Sequence, residues 1–170
     1  MSPSKRYLLA INPGSSSIKS VLFEIGETSL NPVWNASIED IGLPSSKLLT
    51  SGKTTDITAP SHDRTVDELF KKLSESHNLK HIQSVGYRVV FSGQKFSQPC
   101  EIDDAVLNEL EKLDMYDPDH MPYTRAIIEQ IRHLLPSSRH VACFDSAFYA
   151  GLPSVARVLP LPRKYETLGL

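Results

Sequence analysis

Two short apolar segments joined by a serine-rich turn lie near the start of the chain and limit the folds it can adopt. Arg6 to Asn12 is an apolar run that ends in turn residues, and Ser17 to Ile25 alternates between apolar and polar residues. Alternation with a period of two is typical of β-strands that bury one face. We therefore predict a β-hairpin here, followed by a third strand over Val33 to Ile41.

The next segment, Gly42 to Asp63, is rich in Pro, Ser, Thr and Gly, which predicts a long surface loop or irregular strands. Apolar residues then recur at helical spacing and predict a helix from Thr65 to Asn78. Val85 to Phe91 and Val141 to Phe144 are compact apolar runs that predict buried strands. Between these strands we predict two helices, from the apolar sets Ile102, Val106, Leu110, Leu113 and Ala126, Ile127, Ile131, Leu134, Leu135.

This order of elements, first strands and then alternating helices and strands, predicts an α/β fold with a mixed sheet flanked by helices. The 170 residues, 40% of them hydrophobic, suit a single domain with a substantial core over residues 1–170. The net charge is −2 and the basic residues are scattered, so the chain lacks the basic stripe of a nucleic-acid binder. No apolar run approaches the roughly 18 residues of a membrane span and no signal peptide is recognisable, so we expect a cytoplasmic protein without membrane contact.

The turn between the first two strands has the chemistry of an anion-binding site. Gly14 permits close backbone approach and a positive φ, and the three serines that follow offer backbone N–H groups and hydroxyls. Lys19 adds a positive charge at the start of the second strand, and Asn12 offers an amide oxygen that suits Mg²⁺. The same residues would also form an ordinary polar hairpin turn without a ligand, because Gly and Ser are common in turns.

A second stretch, Gly52-Lys53-Thr54, has the ending of a Walker-type phosphate loop. That loop requires a glycine where Lys47 stands, and no apolar strand leads into it. We interpret Gly52 to Thr54 as an ordinary loop.

Four segments of the chain together resemble the acetate kinase family. The first family signature, N-x-G-S-S-S-x-K after an apolar strand, is matched in full by Asn12, Gly14, Ser15, Ser16, Ser17 and Lys19. The second, G-H-R-V-V-H-G-G, is matched in part by residues 86–93, which keep Arg88 but carry Tyr87, Phe91 and Ser92 where the pattern has His, His and Gly.

The other two landmarks follow in the expected order. A histidine in a proline-flanked loop is matched by His120, and an F-D-[ST]-A-F segment is matched by residues 144–148, which include Asp145. The similarity runs from about Tyr7 to the end of the chain and includes a tail, residues 159–165, that is similar to the family's L-P-Y-E-Y segment.

The resemblance implies a ribonuclease H-like, actin-like ATPase domain of the superfamily that contains acetate and sugar kinases, actin and Hsp70. It also implies phosphoryl transfer from ATP to acetate or another short-chain carboxylate, with Mg²⁺ or Mn²⁺ as cofactor. Family members are about twice as long, and their second domain supplies most of the nucleotide pocket and the dimer contacts. We therefore expect this chain to be the amino-terminal half of such an enzyme, without the carboxy-terminal nucleotide-binding domain, inactive alone and able to exist as a monomer.

The resemblance also assigns roles to single residues. It implies that Arg88 binds the carboxylate or the transferring phosphate, although a structural arginine paired with a carboxylate is the alternative. It implies catalytic roles for His120 and Asp145, although either could instead serve only to cap or start a helix. Because the substrate is already ionised, we expect Asp145 to position metal or water rather than act as a general base. Lys19 and the turn residues Gly14, Ser15, Ser16 and Ser17 would contact ATP phosphates, and Asn12 would contact the metal.

Two alternative functions remain open from the sequence. The substitutions at Tyr87, Phe91 and Ser92 suit a non-catalytic binding or interaction module that retains the fold. The second alternative, another enzyme of the wider superfamily, is disfavoured, because the other enzymes of that superfamily usually have Asp at the position of Asn12. His77 and His81 have zinc-compatible spacing, but no third ligand is suggested, so we interpret them as a surface pair.

Overall fold

A computed structural model describes residues 5–93, 95–149, 151–153, 156 and 162. Eight strands form one sheet within these residues: β1 (Tyr7–Pro13), β2 (Ser17–Ile25), β3 (Leu30–Glu39), β4 (Ser46–Thr50), β5 (Lys53–Ile57), β6 (Ile82–Val89), β7 (Cys100–Glu101) and β8 (Arg139–Phe144). The helices are α1 (His62–Ser74), α2 (Asp104–Leu113) and α3 (Met121–Leu134), with short 3-10 helices at Leu79–His81 and Asp145–Tyr149. The predicted mixed α/β architecture is confirmed.

The strand order is β5-β4-β3-β2-β1-β6-β8-β7. Strands β1 to β5 pair as antiparallel neighbours, whereas β6 pairs in parallel with both β1 and β8. Parallel neighbours need crossover connections, and here α1 leads from β5 to β6 while α2 and α3 lie between β6 and β8. All three parallel strands therefore end at the same edge of the sheet.

The three described helices, α1 to α3, leave one face of the central sheet uncovered. Alternate residues of the central strands are buried beneath helices α1 and α3, which pack against each other, as with Leu9, Leu22 and Val85. Their neighbours, such as Leu8, Val21 and Val141, are only half-buried on the opposite face. We call this second surface the open face. Among the helices that the structure describes, none combines the length and apolarity needed to cross a bilayer.

Two sequence predictions are wrong in detail. The segment between Gly42 and Asp63, predicted as a long loop or irregular strands, instead contains a regular hairpin, β4 and β5, that extends the sheet. Its turn is Ser51-Gly52, where both residues have positive φ (50° and 75°), and Lys53 and Thr54 lie in β5 rather than in a loop. Helix α1 begins at His62 rather than Thr65, because the Ser61 side chain accepts a hydrogen bond from the Arg64 amide and caps it.

A buried hydrogen bond joins β6 to β8 on the packed face. The Tyr87 hydroxyl lies 2.7 Å from His140 Nδ1, and His140 Nε2 lies 3.0 Å from the carbonyl oxygen of Leu135. A carbonyl can only accept, so Nε2 carries the hydrogen and Nδ1 accepts from Tyr87. Burial lowers the pKa of His140 below its ordinary 6.5 and raises that of Tyr87, so both side chains are held neutral.

We predict that Tyr87→Phe lowers the free energy of unfolding by about 1–3 kcal/mol, because it leaves the buried Nδ1 of His140 without a partner. In the wild type, burial favours the neutral form of His140 in the folded state. The stabilisation that neutral His140 adds to the free energy of unfolding is therefore present above pH 6.5 and is lost as the pH falls below that value. Urea unfolding between pH 5 and 8 measures both effects. His140→Leu should flatten this part of the pH profile, and an unchanged profile would contradict the assignment.

Candidate active site

The candidate site lies at the edge of the sheet where the parallel strands end. Asn12 is near the end of β1, Arg88 near the end of β6, and Asp145 directly follows β8. Because β1, β6 and β8 run in parallel, these three side chains converge although they are far apart in sequence. We call them the edge cluster.

Arg88 is the centre of the edge cluster. Its Nε lies 2.9 and 3.0 Å from the two carboxylate oxygens of Asp145, its Nη2 lies 2.6 Å from Oδ2, and its Nη1 donates to Asn12 Oδ1 over 3.2 Å. The hydrogen bond to Asp145 is the main reason that the pKa of Arg88 is raised above its ordinary value. The sequence left open whether Arg88 binds a ligand or pairs with a protein carboxylate, and the structure shows the pairing.

The pairing does not use every donor of Arg88. A guanidinium has five N–H groups, and these contacts engage the one on Nε and one on each Nη. One N–H on each Nη therefore remains available in the contacts among the described residues. Since the Arg88 side chain is 48% exposed, these two donors can reach an external oxygen.

A cavity of about 1020 Å³ adjoins the edge cluster and extends along the open face. Its walls are mainly apolar and include Leu8, Ala10, Val21 and Val141, while polar groups gather at one end. Lys19 from the start of β2 also lines the cavity. Such a site, apolar with a few convergent charged groups, is typical of small-molecule pockets.

The serine-rich turn is adjacent to this end of the cavity, because Asn12 and Lys19 are paired in the hairpin. The amide of Gly14 donates to the carbonyl of Ser17 over 2.7 Å, and Ser15 and Ser16 are exposed. The expected positive φ at Gly14 is not found, since the positive-φ glycines of the described residues are Gly42, Gly52 and Gly93. Glycine is favoured here by close approach instead, because a Cβ would lie 3.2 Å from the Ser17 carbonyl and hydroxyl oxygens.

His120 is not among the residues that line the cavity in the described structure. It precedes α3, makes no side-chain cap, and its Nδ1 lies 2.9 Å from the carboxylate of Asp117. A carboxylate accepts, so this contact places the hydrogen on Nδ1.

The three departures from the family signature lie in different surroundings. Tyr87 points into the packed face, and Phe91 contacts Tyr116, with ring centroids 5.9 Å apart. Ser92 is 3% exposed and its hydroxyl accepts a hydrogen bond from Ser146, the residue after Asp145. Sequence reasoning missed this link, which ties the end of β6 to the segment that carries Asp145.

The oxygens of the edge cluster suit a divalent cation that is shared with a phosphate. Asn12 Oδ1 and the Asp145 carboxylate both contact the guanidinium of Arg88, so an amide oxygen and a carboxylate lie at the same end of the cavity. Among the described residues, no group of three or more His, Cys, Asp or Glu forms a metal cage. Mg²⁺ commonly uses one or two protein oxygens together with water and substrate phosphates, and the residues present fit that mode.

Comparison with known proteins places the whole arrangement in one family. A profile of the acetokinase family matches residues 7–170. The acetate kinase of Bacillus mycoides is 38% identical over 172 residues, an alignment that covers 96% of this chain and 43% of the relative. The propionate kinase of Citrobacter koseri is 35% identical over 167 residues, covering 94% and 41%.

Solved structures agree with the sequence comparison. The crystal structure of Porphyromonas gingivalis acetate kinase matches with a TM-score of 0.83 at 28% identity, over 97% of this chain and 44% of that one. A propionate kinase from Francisella tularensis matches with a TM-score of 0.82 at 26% identity, over 94% and 42%. These matches confirm the resemblance and the actin-like ATPase fold. The chain spans less than half the length of these relatives.

We predict that Asp145→Ala changes the free energy of unfolding by less than about 1 kcal/mol, because partly exposed ion pairs contribute little to stability. The side chains of Arg88 and Asp145 are 48% and 39% exposed. Urea unfolding at pH 7.5 measures the change, with Asp56→Ala on the exposed strand β5 as the matched control. A loss above about 2 kcal/mol, well beyond what such a pair contributes, would show that the edge cluster is structural.

Proposed function

This chain belongs to the acetokinase family, and we propose that it forms the carboxylate-binding part of a phosphotransferase. The proposed reaction transfers phosphate from ATP to acetate or another short-chain carboxylate and yields an acyl phosphate and ADP. The observation that carries this proposal is the edge cluster, where a fixed arginine with two available donors meets an apolar cavity and a serine-rich turn.

Arg88 is proposed to bind the substrate carboxylate or the transferring phosphate. Asp145 and Asn12 hold its guanidinium in one orientation, and the remaining N–H on each Nη offers two donors to an anion. The apolar walls that include Leu8 and Val141 would accept the short alkyl group. A larger carboxylate would need more of this wall, which is why acetate, propionate and butyrate are the substrates to compare.

The reaction itself needs positioning rather than proton transfer. A carboxylate oxygen forms a bond to the γ-phosphorus of ATP, and the bond from that phosphorus to the bridging oxygen breaks, so ADP leaves with the electron pair. The carboxylate is already ionised at neutral pH, so no base is required. The charge that spreads over the phosphoryl oxygens is stabilised by fixed cations, a role that Arg88 and Lys19 would fill.

The turn residues Gly14, Ser15, Ser16 and Ser17 are proposed to bind ATP phosphates through backbone N–H groups and hydroxyls. A bound Mg²⁺ or Mn²⁺ would neutralise phosphate charge and orient the nucleotide, with Asn12 and Asp145 as its protein oxygens. Asp145 would thus position the metal rather than act as a base, because the carboxylate substrate is already ionised. For His120 to donate a hydrogen bond from Nε2 to a transferring oxygen, the ring must be protonated, since Nδ1 already donates to Asp117.

We further propose that these residues form an incomplete catalytic half. The matched relatives are more than twice as long, so more than half of each has no counterpart in the matched alignment. The nucleotide base and ribose would then contact residues outside the 170 described by this sequence.

A non-catalytic binding module is the second candidate, and one observation favours it. Both carboxylate oxygens of Asp145 are held by Arg88, so the ion pair closes on itself when no ligand is bound. In a binding module this pair would stay closed, whereas a kinase would exchange part of it for substrate and metal.

An acyl hydroxamate assay distinguishes the candidates. The chain is offered ATP, Mg²⁺, hydroxylamine and acetate, propionate or butyrate, both alone and joined to the remaining part of the Bacillus mycoides acetate kinase. We predict no product from the chain alone and turnover by the joined protein. Arg88→Ala should reduce that turnover by about 100-fold or more, as removal of a transition-state donor does, while Asp56→Ala should leave it unchanged.

Product from the 170 residues alone would overturn the proposed incompleteness. A joined protein that folds but forms no hydroxamate, or one that keeps full turnover with Arg88→Ala, would overturn the kinase assignment of this site and favour the binding module.

A further inference from the structure

His62, which belongs to none of the recognised motifs, is bonded to the serine-rich turn. Its Nε2 lies 3.1 Å from the carbonyl oxygen of Gly14. Because a carbonyl can only accept, Nε2 must carry the hydrogen and donate it. Both the neutral Nε2–H form and the protonated ring can do so, which means that the bond persists whatever the charge on the ring.

The His62 ring is itself held in place by a residue of α3. It stacks on Tyr123 with 4.4 Å between ring centroids and 18° between ring planes. His62 is half-buried and is the first residue of α1, whose apolar residues pack into the core. The turn is therefore connected through one imidazole to both helices beneath the sheet.

A second carbonyl of the turn is held in a similar way. The Ser16 carbonyl accepts a hydrogen bond of 3.1 Å from the amide of Ile41, a residue of the hydrophobic core. Both acceptors thus have partners outside the turn, one on α1 and one just after β3.

Because the peptide bond is planar, these contacts of the carbonyl groups also fix the direction of the N–H groups that follow them. In a trans peptide the carbonyl and the following N–H point in opposite directions, and the described residues contain no cis peptide bond. With the Gly14 carbonyl directed at His62, the Ser15 N–H points away from it. With the Ser16 carbonyl directed at the Ile41 amide, which follows β3, the Ser17 N–H points away from that strand.

We propose that His62 is a positioning residue for anion binding, which holds the Gly14–Ser15 peptide so that the Ser15 N–H is oriented towards a phosphate group. The inference rests on the proposed function of the serine-rich turn as a phosphate site. Its physical basis is preorganisation, since an exposed Gly-Ser turn that must be ordered by its ligand loses part of the binding free energy.

The test uses inorganic tripolyphosphate as the probe and the intact chain as the protein. Binding is measured by isothermal titration calorimetry, and the Ser15 and Ser17 amide signals are followed by ¹⁵N NMR. We predict that His62→Ala weakens binding about 3- to 10-fold, the effect expected from one lost hydrogen bond, and reduces the ligand-induced shift of the Ser15 amide more than that of Ser17. His62→Gln, which retains a side-chain N–H donor, should restore both towards wild type.

Two further variants separate positioning from general stability. Tyr123→Ala removes the stacking partner without touching the turn and should reproduce a smaller version of the His62→Ala effect. His77→Ala is the matched control, because His77 also packs on a tyrosine, Tyr7, with 5.5 Å between ring centroids, but lies beyond the other end of α1. It should leave tripolyphosphate binding unchanged.

The outcomes separate the positioning role of His62 from the existence of the phosphate site. Wild type that binds tripolyphosphate with shifts at Ser15 and Ser17, together with an equally tight and equally shifted His62→Ala variant, would overturn the positioning role and leave the phosphate site standing. Wild type that shows no binding at the turn would overturn the phosphate site, and the role of His62 with it.

Discussion

The parallel pairing of β6 with β1 and β8 is the constraint on which the rest of this structure depends. Parallel neighbours cannot be joined by a hairpin, so the chain must cross over through α1 and then through α2 and α3. Both crossovers cover the same face of the sheet, where α1 packs on α3. The same pairing brings the carboxyl ends of three strands together, and those ends carry the edge cluster. The open face and the candidate site are thus two results of one topology.

Within the site, the ion pair of Arg88 and Asp145 orients the arginine rather than stabilising the fold. An ion pair this exposed contributes little to folding, but its forked geometry fixes the guanidinium plane. Asn12 adds a third contact from a different strand, so the orientation is set by β1 and β8 together. A ligand anion then meets a charge that needs no reorganisation, although it must share that charge with Asp145. Substrate binding and the strength of this ion pair are therefore expected to oppose each other.

The sequence predicted those parts of the fold and site that local patterns determine. The hairpin of β1 and β2 followed from alternation, and the chemistry of its turn pointed to Asn12 and Lys19. Arg88 and Asp145 were named only through the family resemblance, and all four residues line the cavity. The β4 and β5 hairpin was missed because β5, with the sequence KTTDI, is an exposed strand without an apolar alternation. The start of α1 was placed late because its first turn, His62 to Arg64, contains no apolar residue. His62 itself could not be found, since it contacts Gly14 across 48 residues and belongs to no motif.

The strand β6 shows that a single sequence signature can contain residues required for core packing and residues required for the ligand site. Gly86 and Arg88 line the cavity, whereas the side chains of Tyr87 and Val89 are buried, because successive side chains of a strand point to opposite faces. Tyr87 also borders the cavity, but its hydroxyl is bonded to His140. The tyrosine that departs from the family pattern therefore alters the packing partner of His140. Odd and even positions of such a motif should be compared separately between relatives. A substitution at a buried position of the strand changes the packing of the core, whereas a substitution at a cavity-facing position changes the chemistry of the site.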